Sequence, residues 1–263
     1  MAPKKYEIVE KDVILTDRGI KLHRIRRCEG GELGGYVQSE KNLSQTGTAW
    51  VHDEARVLGN AVVCEDAQVS GEAWIFDDAV VGGSAQVMAD AWVFNNAHIS
   101  GEVRVDRHSI VCGNAKVLEN AWIKGHGRIS GSAQVRGHAI ISGDAQVSGE
   151  AHISDNVHVD GDARVRGYAK IQDHAQIYGN ALVFGDACIS GNCRIFGNAR
   201  VYGSARVEDT ARVFADARVA GQARVGGSAW IHEKACVVGK TRIVGTARVG
   251  GSERIDRSDE ADD

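Results

Sequence analysis

Arginine recurs at every sixth position between Arg194 and Arg224, and aromatic residues lie between the arginines. A guanidinium offers a planar fork of N–H donors that suits phosphate or carboxylate, and an aromatic face can stack on a nucleobase. These residue types in this order indicate a site for a small anionic ligand, with a nucleotide as the first expectation. The residues that we expect in the site are Arg194, Phe196, Arg200, Tyr202, Arg212, Phe214 and Arg218.

The same arginines also have a simpler interpretation. Arginine stems can cover a sheet while their charged ends stay in water, and nearby acids would partly neutralise the ladder. The aromatic residues alone could equally extend a contact between subunits. Of the six arginines, Arg206 and Arg224 are expected on a different side of the fold from the predicted site, facing solvent. The neutralising acids would be Asp186, Glu208, Asp209 and Asp216.

A six-residue repeat determines the elements that position these side chains. Every sixth residue from Val51 to Ile255 is Val or Ile, at all 35 positions, and 28 of the 35 positions from Ala49 to Glu253 are Ala. Together with a frequent Gly, the unit reads A-x-[VI]-x-G-x. Residues two apart point to the same side of a short strand, and the Gly permits a turn. A helix is disfavoured because Gly would recur throughout it.

The repeat predicts an all-β solenoid. Three six-residue sides make an 18-residue coil, and stacked coils bury one continuous core of Val, Ile and Ala. We expect about 11 to 12 coils. Residues 18 apart then lie on the same side, so the outward residues sort into three series. The first side begins with Trp50, the second with Arg56 and the third with Val62.

The repeat resembles that of hexapeptide-repeat proteins, whose fold is a left-handed parallel β-helix. The segments Gly34-Gly35-Tyr36-Val37, Asn42-Leu43-Ser44 and Ala49-Trp50-Val51 are similar to the start of the YdcK-like proteins of bacteria and prophages. That resemblance implies left-handed coils, a small N-terminal β cap and association as homotrimers with grooves between subunits. The resemblance also implies an alternative activity, that of the hexapeptide-repeat acyltransferases, which transfer an acetyl group from acetyl-CoA to a sugar or an amine.

The segments outside the regular repeat differ in character. Residues 1–48 contain two alternating strand patterns around Asp17-Arg18-Gly19 and are expected to form the β cap, since a bare terminal coil is an open sheet edge. Residues 49–255 are expected to form the β-helix. The acidic residues 256–263 are expected to be a disordered tail.

An apolar strip on the second side is the predicted trimer interface. Large apolar surfaces seldom face water on a monomer, and closed symmetry suits a rod with one adhesive side. A ladder that merely stabilises neighbouring coils is the alternative. The residues of the strip are Leu58, Trp74, Phe76, Trp92, Phe94 and Ile110.

Catalytic chemistry finds little support in the residues. The ten histidines are scattered, no histidine cluster has zinc-ligand spacing, and the 35 hexads run without the inserted loops that usually build an acyltransferase pocket. We therefore expect no catalytic residue, no metal site and no cofactor.

Three functions remain open. The first is a non-catalytic homotrimer that binds a nucleotide in intersubunit grooves. In a phage such a protein could be a sponge that sequesters signalling nucleotides of antiviral defence. The second is a hexapeptide-repeat acyltransferase, and the third is a purely structural rod.

Bulk composition limits the partners and the location. The net charge is −4, so no large basic surface for long nucleic acid is indicated. No apolar stretch is long enough for a spanning helix, and the first residues lack the apolar core of a signal peptide. We expect a cytoplasmic protein, in the host cytoplasm if a phage encodes it, without membrane partners. The six cysteines are expected to be reduced thiols.

Overall fold

The computed structural model describes residues 3–257, and these residues form a parallel β-solenoid. Counted by its strands, the chain makes about 12 solenoid turns. The chain divides into two compact units, residues 1–131 and residues 132–263. The predicted all-β solenoid is confirmed, and a single 3₁₀ turn, Glu40–Asn42, is the only helical element in the described range.

Unit 1 begins with antiparallel strands. Strand β1 (Tyr6–Leu15) pairs with β2 (Lys21–Arg27), and β2 pairs with β3 (Leu33–Val37). Strand β3 then pairs in parallel with the strand Arg56–Val57. Solenoid pairing therefore begins at Tyr36, inside the segment expected to be a cap, and the hairpin β1–β2 is the part that lies outside the repeat.

Each later strand of unit 1 is two residues long, an outward residue followed by an inward Val or Ile. The first side holds Trp50–Val51, Gln68–Val69, Gln86–Val87, Arg104–Val105 and Trp122–Ile123. The second side holds Arg56–Val57, Trp74–Ile75, Trp92–Val93, Ile110–Val111 and Arg128–Ile129. The third side holds Val62–Val63, Val80–Val81, His98–Ile99 and Lys116–Val117.

Unit 2 has the same three-sided organisation. Its first side holds Ile140–Ile141, His158–Val159, Gln176–Ile177, Arg194–Ile195, Arg212–Val213, Trp230–Ile231 and Arg248–Val249. The second side holds Gln146–Val147, Arg164–Val165, Leu182–Val183, Arg200–Val201, Arg218–Val219, Cys236–Gly239 and Arg254–Arg257. The third side holds Gln134–Val135, His152–Ile153, Lys170–Ile171, Cys188–Ile189, Arg206–Val207, Arg224–Val225 and Arg242–Ile243.

The core of each unit consists of the inward positions of the repeat. The inward Val and Ile residues from Val51 to Val237, and the inward Ala residues two positions before them, are at most 1 % exposed. Small Ala next to branched Val or Ile fills the narrow interior, and burial of this apolar area stabilises the stacked coils. The last regular strand reaches Arg257, two residues past the expected end of the solenoid, and residues 258–263 of the expected tail lie outside the described residues.

Left-handed backbone at each corner turns the chain. Gly supplies it in most units, with φ between +63° and +91° along the solenoid. Asp, Glu, Asn, Ala or Arg occupies the same position in other units, for example Asp53 with φ 52° and Glu233 with φ 56°. Some of these side chains also form hydrogen bonds to the next coil. The Asp53 carboxylate, for example, accepts a hydrogen bond from the Gly71 amide at 2.9 Å.

Candidate functional site

The arginine ladder lies on strands of unit 2 whose outward residues are in register. Paired residues on neighbouring parallel strands are about 4.8 Å apart at the backbone, so the six arginines of the ladder form one pair of adjacent residues on each side. The pairs are Arg194↔Arg212 on the first side, Arg200↔Arg218 on the second and Arg206↔Arg224 on the third. The sixfold spacing thus produces three separate pairs of cations, and the corner turns separate the pairs.

Most of these cations lack an anionic partner among residues 3–257. In the described part of the chain, Arg194, Arg200 and Arg218 are exposed and form no ion pair or side-chain hydrogen bond. Arg212 differs, because it is half-buried with its Cζ 5.1 Å from the centre of the Trp230 ring. That indole takes a second cation, Arg248, at 4.5 Å. The Arg212 guanidinium is therefore already engaged in a contact with Trp230, whereas Arg200 and Arg218 on the second side remain available to an anion.

Aromatic residues stack at two corners next to these strands. At the end of the first side, Phe196 stacks on Tyr178 and on Phe214, with 4.9 Å between ring centroids in each pair. Phe214 continues to His232 at 5.4 Å. At the end of the second side, Tyr202 stacks on Phe184 at 4.9 Å. The rings are parallel within 3° in the three pairs without histidine, so stacking between coils already covers much of their faces.

Two shallow cavities lie along the second side of unit 2. One, of about 370 Å³, is lined by Asn198, Arg200, Asp216, Arg218, Lys234 and Cys236. The other, of about 390 Å³, is lined by Asp162, Arg164, Arg166, Asn180, Ala181, Leu182, Asn198, Arg200 and Asp216. Arg200 belongs to both linings, and the carboxylate of Asp216 is the acid they share. The lining is basic and polar, which suits an anion better than an apolar molecule.

The structure brings together only part of the predicted ligand site. Arg200 and Arg218 share a cavity, but Phe196, Tyr202 and Phe214 are not among its lining residues. Arg194 and Arg212 lie on the first side, one corner away. The prediction from sequence missed Asn198 and Lys234. Their signal was present, since Asn180, Asn198, Asp216 and Lys234 recur at 18-residue intervals in the position just before the inward Ala.

The N-terminal hairpin covers part of the predicted trimer interface. Leu58 is 8 % exposed and packs with Leu22 and Tyr36, while Trp74 and Phe76 pack against the same cluster. Trp92 remains exposed at 44 %, and Phe94 and Ile110 are half-buried. The argument from exposed apolar surface therefore applies to Trp92, Phe94 and Ile110, whereas Leu58 is already buried within the chain.

Two candidate nucleophiles in the solenoid, Ser142 and Cys193, are poorly placed for catalysis. Ser142 lies 3.1 Å from His158 Nε2, but its hydroxyl donates to Asp160 Oδ1 at 2.7 Å, so the imidazole donates to the serine instead of removing its proton. Burial raises the pKa of the Cys193 thiol to about 12 and keeps it protonated. Among residues 3–257, no group of three or more His, Cys, Asp or Glu side chains is arranged to hold a metal ion. The six cysteines form no disulfide.

The described residues contain no helix long and apolar enough to cross a membrane.

The family model described as the YdcK β-solenoid repeat matches residues 175–192 and 194–209, which include the Arg194, Arg200 and Arg206 strands. The comparison with curated proteins found no match. Because the matched repeats continue in the same register on both sides of the match, the chain is a β-solenoid repeat protein of YdcK type.

Proposed function

We propose that the chain is a binding protein for a small anionic ligand of the nucleotide class, held by Arg200 and Arg218 on the second side of unit 2. The observation that carries the proposal is the pair of exposed guanidinium groups, in register and without an ion-pair partner in residues 3–257, inside one cavity with Lys234. Three cations and one carboxylate, Asp216, leave this cavity with a positive balance. Arginine and lysine in this arrangement suit phosphate oxygens.

Repetition along the solenoid favours a ligand with more than one phosphate. The neighbouring cavity adds Arg164 and Arg166 and shares Arg200, so cationic groups continue along the same side. Cyclic di- and trinucleotides have several phosphates and several bases, and a rigid scaffold loses little entropy when it binds them. Sequestration of such signalling nucleotides in antiviral defence is the role that we propose to test first.

Calorimetry with cyclic di- and trinucleotides tests the proposal. The double variant R200A/R218A is expected to lower affinity at least tenfold, because each charge-assisted hydrogen bond contributes about 1.5–3 kcal/mol. The matched control is R206A/R224A, which removes a pair in the same register from the third side. Asp216→Asn is expected to raise affinity several-fold, since it removes the carboxylate that lines both cavities.

Two results would contradict the proposal. One is the absence of heat with every nucleotide together with no nucleotide released when the purified protein is denatured. The other is an equal loss of affinity in the two double variants, which would indicate nonspecific attraction to charge. Acyl transfer from acetyl-CoA and filament formation stay as alternative predictions, and a turnover assay and electron microscopy test them.

A further inference from the structure

A further cavity, in unit 1, lies between the β1–β2 turn and the second side of the solenoid. Its volume is about 340 Å³, within the range of small-molecule sites. Its lining residues are Thr16, Asp17, Arg18, Ile20, Leu58, Gly59, Trp74, Phe76, Asp77 and Trp92. Aromatic and aliphatic groups dominate the wall that the solenoid contributes, and charged groups come from the turns.

Three aromatic rings surround part of this cavity at different angles. The Trp92 ring lies 6.2 Å from Trp74 with 40° between their planes, and 6.1 Å from Phe76 with 78° between their planes. In unit 2, neighbouring rings such as Tyr178 and Phe196 are parallel at 4.9 Å, and in unit 1 one face of Phe76 stacks on Phe94. Tilted rings leave their faces open to a third group, and Trp92 is 44 % exposed. This arrangement resembles an aromatic cage more than a stacked ladder.

One of these rings already binds a cation. The Arg56 guanidinium lies over Trp74, with its Cζ 4.7 Å from the ring centroid. The electron-rich face of an indole attracts cations, and the attraction strengthens where water is excluded. Trp74 is half-buried, so the cation–π contact is made in a partly dry setting. The remaining open faces of the cage have the same preference for positive charge.

The charges around the cavity also favour a positively charged ligand. The lining contains two carboxylates, Asp17 and Asp77, and one guanidinium, Arg18. Asp77 Oδ2 accepts hydrogen bonds from the backbone and side-chain amides of Asn95, at 3.2 and 3.0 Å, and these neutral donors leave its negative charge uncompensated. Among the lining residues the balance is therefore one negative charge, and Arg56 is not one of them.

The opposite wall of the cavity is held in place by its own hydrogen bonds. In the β1–β2 turn, the Gly19 amide donates to the Thr16 carbonyl at 2.8 Å, and the Ile20 amide lies 3.1 Å from Thr16 Oγ1. Ile20 also packs against the cluster of Leu22, Tyr36 and Leu58. A wall fixed in this way needs little reordering when a ligand enters, which favours binding.

We propose that this cavity binds a small organic ammonium ion, with its alkyl groups against Trp74, Phe76 and Trp92 and its charge toward Asp77. A neutral apolar molecule would fill the same walls but would gain nothing from the carboxylates or from the ring faces. The site is separate from the arginine ladder, and it does not depend on nucleotide binding.

Calorimetry with choline and with its neutral carbon isostere, 3,3-dimethylbutan-1-ol, tests this proposal at constant ionic strength. Choline is expected to bind at least tenfold more tightly than the isostere. Trp92→Leu is expected to lower the choline affinity about tenfold. Trp122→Leu is the matched control, because Trp122 is also an outward tryptophan with a cation, Lys124, 4.1 Å above its ring, yet it is not part of this cavity.

Asp77→Asn gives a second variant in case Trp92→Leu is unstable. Asn tolerates the left-handed backbone at this position, where φ is 60°, and removes only the charge. It is expected to lower choline affinity several-fold while leaving the isostere unaffected. Equal binding of choline and the isostere, no heat with choline, or choline binding that neither variant weakens would each overturn the proposal. Loss of self-association in Trp92→Leu without choline binding to the wild type would overturn it too, and would assign Trp92 to a subunit interface.

Discussion

The carboxylate of Asp155 accepts a hydrogen bond from the backbone amide of Asp173, which lies 18 residues later, at 3.2 Å. Asp173 repeats the contact with Gly191 at 2.8 Å. Both acids have left-handed backbone, with φ of 63° and 65°, at corner positions that most units fill with Gly. At these corners the acid adopts a left-handed backbone that is unfavourable for a residue other than Gly. Its side chain forms a hydrogen bond that links one coil to the next. Acidic corners are therefore structural ties as well as surface charge.

Stability at low pH is expected to depend on these ties. The hydrogen bond from the Asp173 amide, followed by the one from the Ser154 hydroxyl, lowers the pKa of Asp155 from its ordinary value of 3.8. A lowered pKa in the folded state means that the stabilisation is complete above the unfolded value and is lost as the pH falls through the folded value. Asp155→Asn should cost about 0.5 kcal/mol at pH 7, because the site is exposed and screened.

Chemical denaturation at pH 7 and below pH 3 measures this effect. The difference between wild type and Asp155→Asn should shrink toward zero in acid. Asp144→Asn is the control, since Asp144 is exposed and its carboxylate forms no hydrogen bond with the described residues. An undiminished difference in acid would show that the charge of Asp155 does not stabilise the corner.

The fold was predictable because a solenoid is locally periodic. Each coil contacts only its neighbours, so the alternation of Ala and Val or Ile over six residues contains nearly all the information about the core. The inward positions from Val51 to Val237 are buried as the repeat predicts. The register of the arginine ladder follows from the same period.

The contacts of the N-terminal hairpin could not be predicted from the six-residue repeat, because the hairpin is not part of that repeat. Trp50 occupies an outward position, yet it is fully buried, because Tyr6 meets its ring edge-on at 6.3 Å and Arg27 lies over it at 4.1 Å. Leu58 is covered in the same way. The candidate anion site was found only in part for a different reason. Sorting the outward position alone overlooks Asn198 and Lys234, which reach the cavity from the corners.

Tyr6 is expected to anchor the hairpin to the solenoid. Its side chain is fully buried, and its hydroxyl lies 2.8 Å from the Leu43 carbonyl and 2.9 Å from the Glu40 carbonyl. Tyr6→Phe removes the donor and leaves the buried Leu43 carbonyl without it, at a cost of about 1–2 kcal/mol. Hydrogen–deuterium exchange should rise in β1 and β2 while exchange in unit 2 is unchanged.

The matched control for this variant is Tyr168→Phe. Tyr168 is 57 % exposed, and its hydroxyl makes no hydrogen bond within residues 3–257. It should leave both the unfolding free energy and the exchange of β1 unchanged. Equal destabilisation by the two variants would contradict an anchoring role for Tyr6.

We expect a homotrimer that forms through the second side of unit 1, and Ile110 offers a clean test of it. Ile110 is half-buried on the strand next to Trp92, beyond the surface that the hairpin covers. Arg128 occupies the same outward position one coil later, so Ile110→Arg is compatible with the fold. Sedimentation of the wild type should give three times the mass of the chain, and Ile110→Arg should weaken association at least tenfold, because a buried unpaired charge is costly.

Ile140→Arg makes the same change on the first side, where Ile140 is half-buried in an identical outward position. If the second side is the interface, this control stays trimeric. A wild type that sediments as a single chain at all concentrations would contradict the trimer. Equal dissociation of both variants would contradict its assignment to the second side. Because the hairpin already buries Leu58 and packs on Trp74 and Phe76, the exposed strip that Ile110 represents is small, and the trimer should therefore dissociate on dilution rather than persist as an obligate assembly.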